Sequence, residues 1–402
     1  MRAALAGIRL IEVAAWAFVP SAAAVIADWG ADVVKVEHPV TGDPLRGLVT
    51  SGLLPGADGI NFLMAQIGRN KRSIGIGLAR EEGRRILHRL IETADVFLTN
   101  YLPPARARLK IDVDDVRAIN PRIVYAKGHG QGSRGPDADK GGYDGCSFWA
   151  RGSVAERLSP PGDFPITQRP AFGDLVSGMF LAGGIAAALL QRERTGETPT
   201  VDVSLLGAAC WVMSPDLVAA ATYGYELPHF VRGMSPNPLV NVYACRDGKH
   251  LSLMMLQFER FWPEFARAVG REDWLDDDRF DTAEKRKQAA PWLADEIAVE
   301  LATLDRAEWE ARLRASECIW APVATPLEVP HDPQVQANGY LADYQDGERR
   351  TKVCASPVEF DGAAMTVRSK APEVGEHTEE VLLAAGFEWD DLARWKAAGV
   401  IS

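Results

Sequence analysis

The chain has 402 residues, 47% hydrophobic and 25% charged, with 55 acidic against 44 basic side chains and a formal net charge of −11. That length predicts at least two domains with well-filled cores, in a composition ordinary for a globular protein. The acidic balance argues against nucleic acid or an anionic membrane surface as a general partner, and leaves room for one local basic site holding a phosphorylated ligand. The five cysteines (Cys146, Cys210, Cys245, Cys318, Cys354) are scattered and lack CxxC spacing, which fits reduced thiols and offers no metal-binding signature. No signal-peptide pattern opens the sequence and no run of eighteen apolar residues is uninterrupted, so a cytoplasmic location without a membrane span is expected.

In chain order, GIRLIEV (7–13) reads as a buried strand, the alanine-rich 20–29 as a helix, and DVVKVE (32–37) as a second strand. Strand, helix, strand within about thirty residues is a βαβ unit, hence a parallel sheet. The alternation continues with strands at 73–78, 95–99 and 123–126 and helices at 80–93 and 113–119, predicting a Rossmann-like α/β layer. No G-x-G-x-x-G or G-x-x-x-x-G-K-[ST] motif is present, which removes the mechanical support for dinucleotide or nucleoside-triphosphate binding. Ligands of open α/β sheets lie beyond the carboxyl ends of the strands. In this chain those ends carry His38, Arg46, Asn100, Arg106, Arg108, Lys127 and His129, a positive set in an acidic protein.

Residues 128–170 are rich in Gly, Pro, Asp and Ser and read as one long loop, a candidate lid. Next comes AFGDLVSGMFLAGGIAAALL (171–190), a small-residue apolar stretch that predicts a buried helix with Asp174 at or near its N-cap. Orphan N–H groups and the positive dipole end would keep that carboxylate ionised. On this stretch alone Asp174 is a capping aspartate. VDVS leads into a further apolar helix over 200–221, and 223–238 reads as a connector. Two strand-like runs flank Arg246-Asp247-Gly248-Lys249, a hairpin signal, and helices follow at 260–269, 292–303 and 306–316. The predicted organisation is a large domain over 1–223, a small α+β domain over 224–326, and a return segment over 327–402 that ends in two helices.

Motifs along the whole chain carry a family resemblance. LAGIRLIEV, ADWGADVVKVEHPVTGDPLR, RNKRSIGIGLAREEGR, ADVFLTNYLP, NPRIVYAKGHGQG, GGYDG, AFGDLVSGMFLAGGIAAAL and TGETPTVDVSL resemble the family III CoA-transferases, relatives of formyl-CoA transferase and carnitine CoA-transferase. NPLVNVYACRDGKHLSLMM, LDDDRFDTAEKR, CIWAPVATPLEVPHDPQVQANGY and VGEHTEEVL extend the likeness, in order, through the small domain and the return segment. The resemblance implies an interlocked homodimer, two chains threaded like links, with pairing to a paralogue as the other arrangement. It implies coenzyme A, as an acyl-CoA substrate, along the large domain, with His38, Ile76, Asn100, Tyr101, Arg108 and His129 at the positions that contact it. It makes Asp174 the nucleophile that passes CoA between two carboxylic acids, and sets Trp16, Gln131 and Tyr143 near the acyl group.

Departures from the family pattern bear on the substrate. The α-methylacyl-CoA racemases of the same fold carry a catalytic histidine where this chain has Tyr143, and a phenol is a poor base at neutral pH. Trp16 and Phe18 stand in a loop that is often more polar, which favours a bulky or aromatic acid over oxalate or formate. The glycine-rich loop of formyl-CoA transferase has no counterpart around Ser235-Pro236-Asn237, and His129 stands where some relatives carry lysine. A racemase or other isomerase, and a non-catalytic acyl-CoA-binding subunit, are the alternative readings.

Overall fold

The computed structural model describes residues 3–48, 60–229, 235–279 and 282–402. Part of the expected connector, 230–234, lies outside the described residues. The chain forms two compact units, one of Met1–Ser159, Asp163–Glu226 and Pro333–Ser402, the other of Pro160–Gly162 and Leu227–Asp332.

The first unit begins β1 (Arg9–Val13), α1 (Phe18–Asp28), β2 (Asp32–Glu37), α2 (Phe62–Gly68), β3 (Lys71–Gly75), α3 (Glu81–Ile91) and β4 (Val96–Thr99). It continues with α4 (Pro103–Leu109), α5 (Val113–Ile119), β5 (Val124–His129), α6 (Val154–Leu158), α7 (Phe172–Thr195), β6 (Thr200–Ser204), α8 (Leu205–Val212) and α9 (Ser214–Tyr223). The six strands pair in the order β3-β2-β1-β4-β5-β6, all parallel. Strand order reverses between β1 and β4, so their carboxyl ends border the crevice that such sheets use for ligands. Successive side chains alternate between faces. Leu10, Val33, Leu98 and Ala126 pack with α1 and α7 on one face, while Ile11, Val34, Phe97 and Tyr125 pack with α3 and α5 on the other.

The second unit holds β7 (Val240–Ala244), β8 (His250–Met254), α10 (Phe258–Val269), α11 (Ala283–Leu301), α12 (Arg306–Arg314) and β9 (Trp320–Pro322), its strands joined in one antiparallel sheet. The turn between β7 and β8 is the Asp-Gly hairpin read from the sequence. The chain then adds α13 (Pro333–Ala337), the hairpin β10 (Leu341–Asp346) with β11 (Arg349–Cys354), α14 (Thr378–Ala384) and α15 (Trp389–Ala397) to the first unit.

Several expectations need correction. Residues 128–170 are not one loop: β5 runs on to His129, a π-helical turn spans Gly145–Ala150, and α6 follows. The apolar stretch after β6 breaks into α8 and α9 because Pro215 can occupy only the first turn of a new helix. Conversely, α11 carries Pro291 in its interior and begins at Ala283, well before the expected 292. Ile76 falls just past β3 rather than within it. Asp174 is the third residue of α7, not its cap, since the helix opens at Phe172 behind Ala171 in the left-handed region (φ 59°). At 24 residues α7 is long and apolar enough by composition to cross a membrane, and it packs Leu181, Ala182, Ile185 and Ala188 into the core beside α1.

A buried ion network ties three neighbouring strands to the loop after β1. Glu12 is fully buried in β1, with Lys35 Nζ of β2 at 2.7 Å from one carboxylate oxygen and Lys71 Nζ of β3 at 2.7 Å from the other. Lys35 also donates to the Ala14 carbonyl at 2.8 Å and lies 2.8 Å from Asp43 Oδ2, and Lys71 donates to the Pro20 carbonyl at 2.7 Å. Removing one member of such a network leaves an uncompensated charge away from water. Glu12→Gln is therefore expected to destabilise the first unit by about 3–5 kcal/mol, read as a lower urea midpoint for its unfolding. A loss below about 1 kcal/mol would show that the network is not under this constraint.

Candidate active site

Beyond β1 the chain turns through Ala14–Phe18, and beyond β4 it leaves through Asn100–Leu102. Asn100 clamps these two exits together: its Oδ1 accepts the Ala15 N–H at 3.0 Å, and its Nδ2 donates to the Ala15 carbonyl at 2.6 Å. Trp16 is held in the left-handed region at φ 68°, which a bulky residue rarely adopts. Its N–H donates at 3.0 Å to Asp43 Oδ1, so the strained turn hangs directly on the buried ion network.

Two cavities meet at Trp16, Asn100 and Leu102. The first, of about 480 Å³, gathers His38, Ile76, Asn100, Tyr101 and Arg108. His38 Nδ1 accepts the N–H groups of Val40 (3.3 Å) and Thr41 (3.2 Å), leaving Nε2 as the donor of the neutral ring. Arg108 has no carboxylate partner among the described residues. Much of the expected positive set is already engaged. Arg46 forms a two-pronged pair with Glu37 (2.9 and 2.7 Å), Arg106 bonds Asp112 at 3.2 Å, and Lys127 lies 3.3 Å from Asp202.

The second cavity, of about 210 Å³, holds Asp174 between Trp16, Phe18, Leu102, Tyr143 and Leu205, with backbone from Gly128, Gly130, Gly141 and Gly142. Tyr143 meets Trp16 edge to face, ring centroids 5.4 Å apart. His129 lines this second cavity and not the first, a correction to its grouping with His38 and Arg108. Its Nε2 is hydrogen-bonded to Asp202 Oδ1. Desolvation would raise Asp202, but the His129 bond and the charge of Lys127 hold it down to about 2. Gln131 lines neither cavity: its amide is taken by Ser147 Oγ (2.9 Å) and Arg151 (2.9 Å).

The start of α7 departs most from expectation. Ala171 supplies no side-chain cap, and Asp144, thirty residues earlier, accepts the Gly173 N–H at 2.8 Å and the Asp174 N–H at 3.3 Å through Oδ2. Gly173 is required there, because a Cβ would lie 2.3 Å from the Phe148 ring and 2.5 Å from Asp144 Oδ1. One turn on, a Cβ on Gly178 would lie 2.0 Å from Ser21 Oγ, so only glycine lets α7 approach α1 this closely. Asp174 is not kept readily ionised by its helix. Burial, and then the nearby charge of Asp144, push its carboxyl up to about 7. Asp144 is also pushed up by burial, against the pull of its two backbone N–H donors.

Asp144 and Asp202 are the site residues that sequence reasoning passed over. The aspartate of GGYDG and the acid within VDVS were the available signals. Among the described residues no group of three or more His, Cys, Asp or Glu side chains converges as metal ligands would. What remains is a half-buried carboxylate facing a small, largely apolar cavity, beside a larger cavity with Arg108, which has no carboxylate partner among the described residues, and a histidine donor.

Comparison with known proteins places the chain in a family. Residues 5–378 match CoA-transferase family III. The chain is 30% identical over 400 residues to the (R)-2-hydroxy-4-methylpentanoate CoA-transferase of Clostridioides difficile, covering 99% of each. It is 33% identical over 390 residues to the cinnamoyl-CoA:phenyllactate CoA-transferase of Clostridium sporogenes, covering 96% of this chain and 94% of the relative. The crystal structure of a CAIB/BAIF family protein from Brucella suis superposes with a TM-score of 0.83 at 25% identity, covering 96% of this chain and all of that one. The chain belongs to CoA-transferase family III and is an enzyme with CoA-transferase activity.

Proposed function

We propose that the enzyme moves CoA from an acyl-CoA donor such as succinyl-CoA to a bulky, branched or aromatic carboxylic acid, with Asp174 as acyl carrier. The observation that carries this reading is Asp174 enclosed by Trp16, Phe18, Leu102, Tyr143 and Leu205. Such walls suit an apolar acyl group and shed the water that would hydrolyse an activated intermediate. The cavity next to it suits the rest of the thioester, with Arg108 and His38 Nε2 as its phosphate and polar donors and Ile76 and Tyr101 as apolar walls. The branched and aromatic acids in the names of two relatives fit the same reading.

In this mechanism an Asp174 oxygen attacks the donor thioester carbonyl, the C–S bond breaks, and a mixed anhydride forms as CoA thiolate leaves. The thiolate attacks the aspartyl carbonyl, expels the donor carboxylate and leaves an aspartyl-CoA thioester. The acceptor carboxylate attacks that carbonyl, releases thiolate and forms a new anhydride. Thiolate attack on the acceptor carbonyl completes the acceptor-CoA and restores the Asp174 carboxylate. Each bond broken is replaced by one of similar energy, so no further energy source enters. The glycine backbone at 128, 130, 141 and 142 lets the acyl group come close without a Cβ in the way.

We infer further that two copies of the chain associate. Helix α9 buries none of its residues, and Trp211 of α8, Val218 and Tyr223 of α9 and Tyr225 just after it are each more than half exposed. A face of that kind is kept from water by a partner.

Asp174→Ala should lower transfer from succinyl-CoA to phenyllactate or a branched hydroxy acid by about 10⁴-fold or more, measured by mass spectrometry of the new thioester. Full activity in that variant would rule out the carrier role, and hydroxylamine trapping of the wild type should label Asp174. Trp16→Gln should cut kcat/KM for the aromatic acid by roughly tenfold or more while sparing a small acid. Equal losses for both acids would remove Trp16 as a specificity wall. In light scattering the protein should run as a dimer and Trp211→Glu as a monomer. A monomeric wild type would refute the pairing.

A further inference from the structure

A carboxylate in the first turn of a helix is ordinarily stabilised by the free N–H groups there. Asp174 stands in that turn, yet the donors of its own residue and of Gly173 are occupied by Asp144. Asp144 is only 3% exposed, and its second oxygen, Oδ1, is buried with no hydrogen-bond partner among the described residues. A buried, half-satisfied carboxylate is costly for a cap that any serine or asparagine could provide.

Resting on the reading of Asp174 as nucleophile, we propose that Asp144 is its positioning residue: it fixes the first turn of α7 by taking up the Gly173 and Asp174 N–H groups, and so withholds their stabilising field from the Asp174 carboxylate. The carboxylate left without those donors is the one that faces the cavity. Its elevation to about 7 is the matching electrostatic sign, and a more basic carboxylate is a stronger nucleophile. The other ionisable groups on its cavity are Tyr143, packed on Trp16, and His129 of β5, bonded to Asp202 of β6, which Lys127 also approaches. From α1 the neighbour is the uncharged Ser21, whose hydroxyl lies 3.5 Å from the Asp174 carbonyl. Asp144 is thus the anion set directly against Asp174.

The test is a titration of Asp174 in the intact, substrate-free protein, read as the carboxylate infrared band that disappears in Asp174→Asn. The wild-type midpoint is expected near 7. Asp144→Asn retains an acceptor for the two N–H groups and removes the charge, and should lower that midpoint by about one unit or more. Asp144→Ser is the second variant, expected to shift it the same way. In turnover, the acid limb of the kcat profile should move down in pH with the midpoint, whereas a merely structural cap would change activity without moving it. A wild-type midpoint below about 5 would overturn the proposal. So would an unchanged midpoint in whichever variant retains the wild-type circular dichroism. Because the titration needs no substrate, a shifted midpoint in a protein that transfers no CoA would refute the transferase substrate reading while sustaining the coupling of the two carboxylates.

Discussion

Everything at the carboxyl end of the sheet hangs from one fully buried glutamate held between two lysines. Glu12 contacts Lys35 and Lys71 from adjacent strands, and those lysines spend their remaining donors on the Ala14 and Pro20 carbonyls. Burial of this many charges is tolerated only where each finds a partner. Burial would push Lys35 down, yet Asp43, Glu12 and Glu37 hold it above its ordinary value, while Lys71, also buried and offset mainly by Glu12, falls to about 8. Three strands, the loop after β1 and the first turn of α1 are thereby fixed to each other by directional bonds rather than by packing alone.

What the network holds in place is a strained turn. Asp43 belongs to it through Lys35, and the same carboxylate accepts the N–H of Trp16 in its left-handed conformation. On the opposite side of that turn, the Asn100 amide locks Ala15 from both directions. Trp16 accordingly has little freedom to swing away, and it stands where the two cavities join. Strain kept by a surrounding structure that over-determines it belongs to functional positions. Here it sets an aromatic wall between the cavity of His38 and Arg108 and the cavity of Asp174.

Topology was the legible part of this chain. Alternating β-branched and helical stretches imply a parallel sheet, and a parallel sheet implies a site at its strand ends, which is why His38, Asn100 and Arg108 border one cavity; Ile76 and Tyr101 came only from the family resemblance and line the same cavity. Pairing across the fold was not legible. Arg46 and Arg106 look like ligand-binding cations until the structure puts Glu37 and Asp112 against them. Asn100 reads as a ligand contact, yet its side chain is occupied by backbone. Periodicity marked the apolar body of α7 but not its first residue, because the cap comes from Asp144, far away in sequence. Helix ends near prolines were not legible: the apolar run through Pro215 reads as one helix and is two, while the helix expected to begin after Pro291 runs through it, carried by a buried apolar face.

Passing CoA between carboxylic acids is nearly balanced in energy, so the site has to lower a barrier and keep water out rather than drive the exchange. One physical property serves both needs. On the proposed reading of Asp174 as acyl carrier, desolvation by the walls around it excludes water and also raises the carboxyl, which would make the anion a better nucleophile and narrow the pH range over which it is an anion. A helix start left open to Asp174 would work against this, stabilising the ground-state anion and weakening its attack. Asp144 removes that stabilisation by occupying the donors itself, at the cost of a second buried carboxylate whose Oδ1 has no partner among the described residues. The two acids at this helix end therefore divide one set of N–H groups unequally, and the one that goes without is the one that faces the cavity.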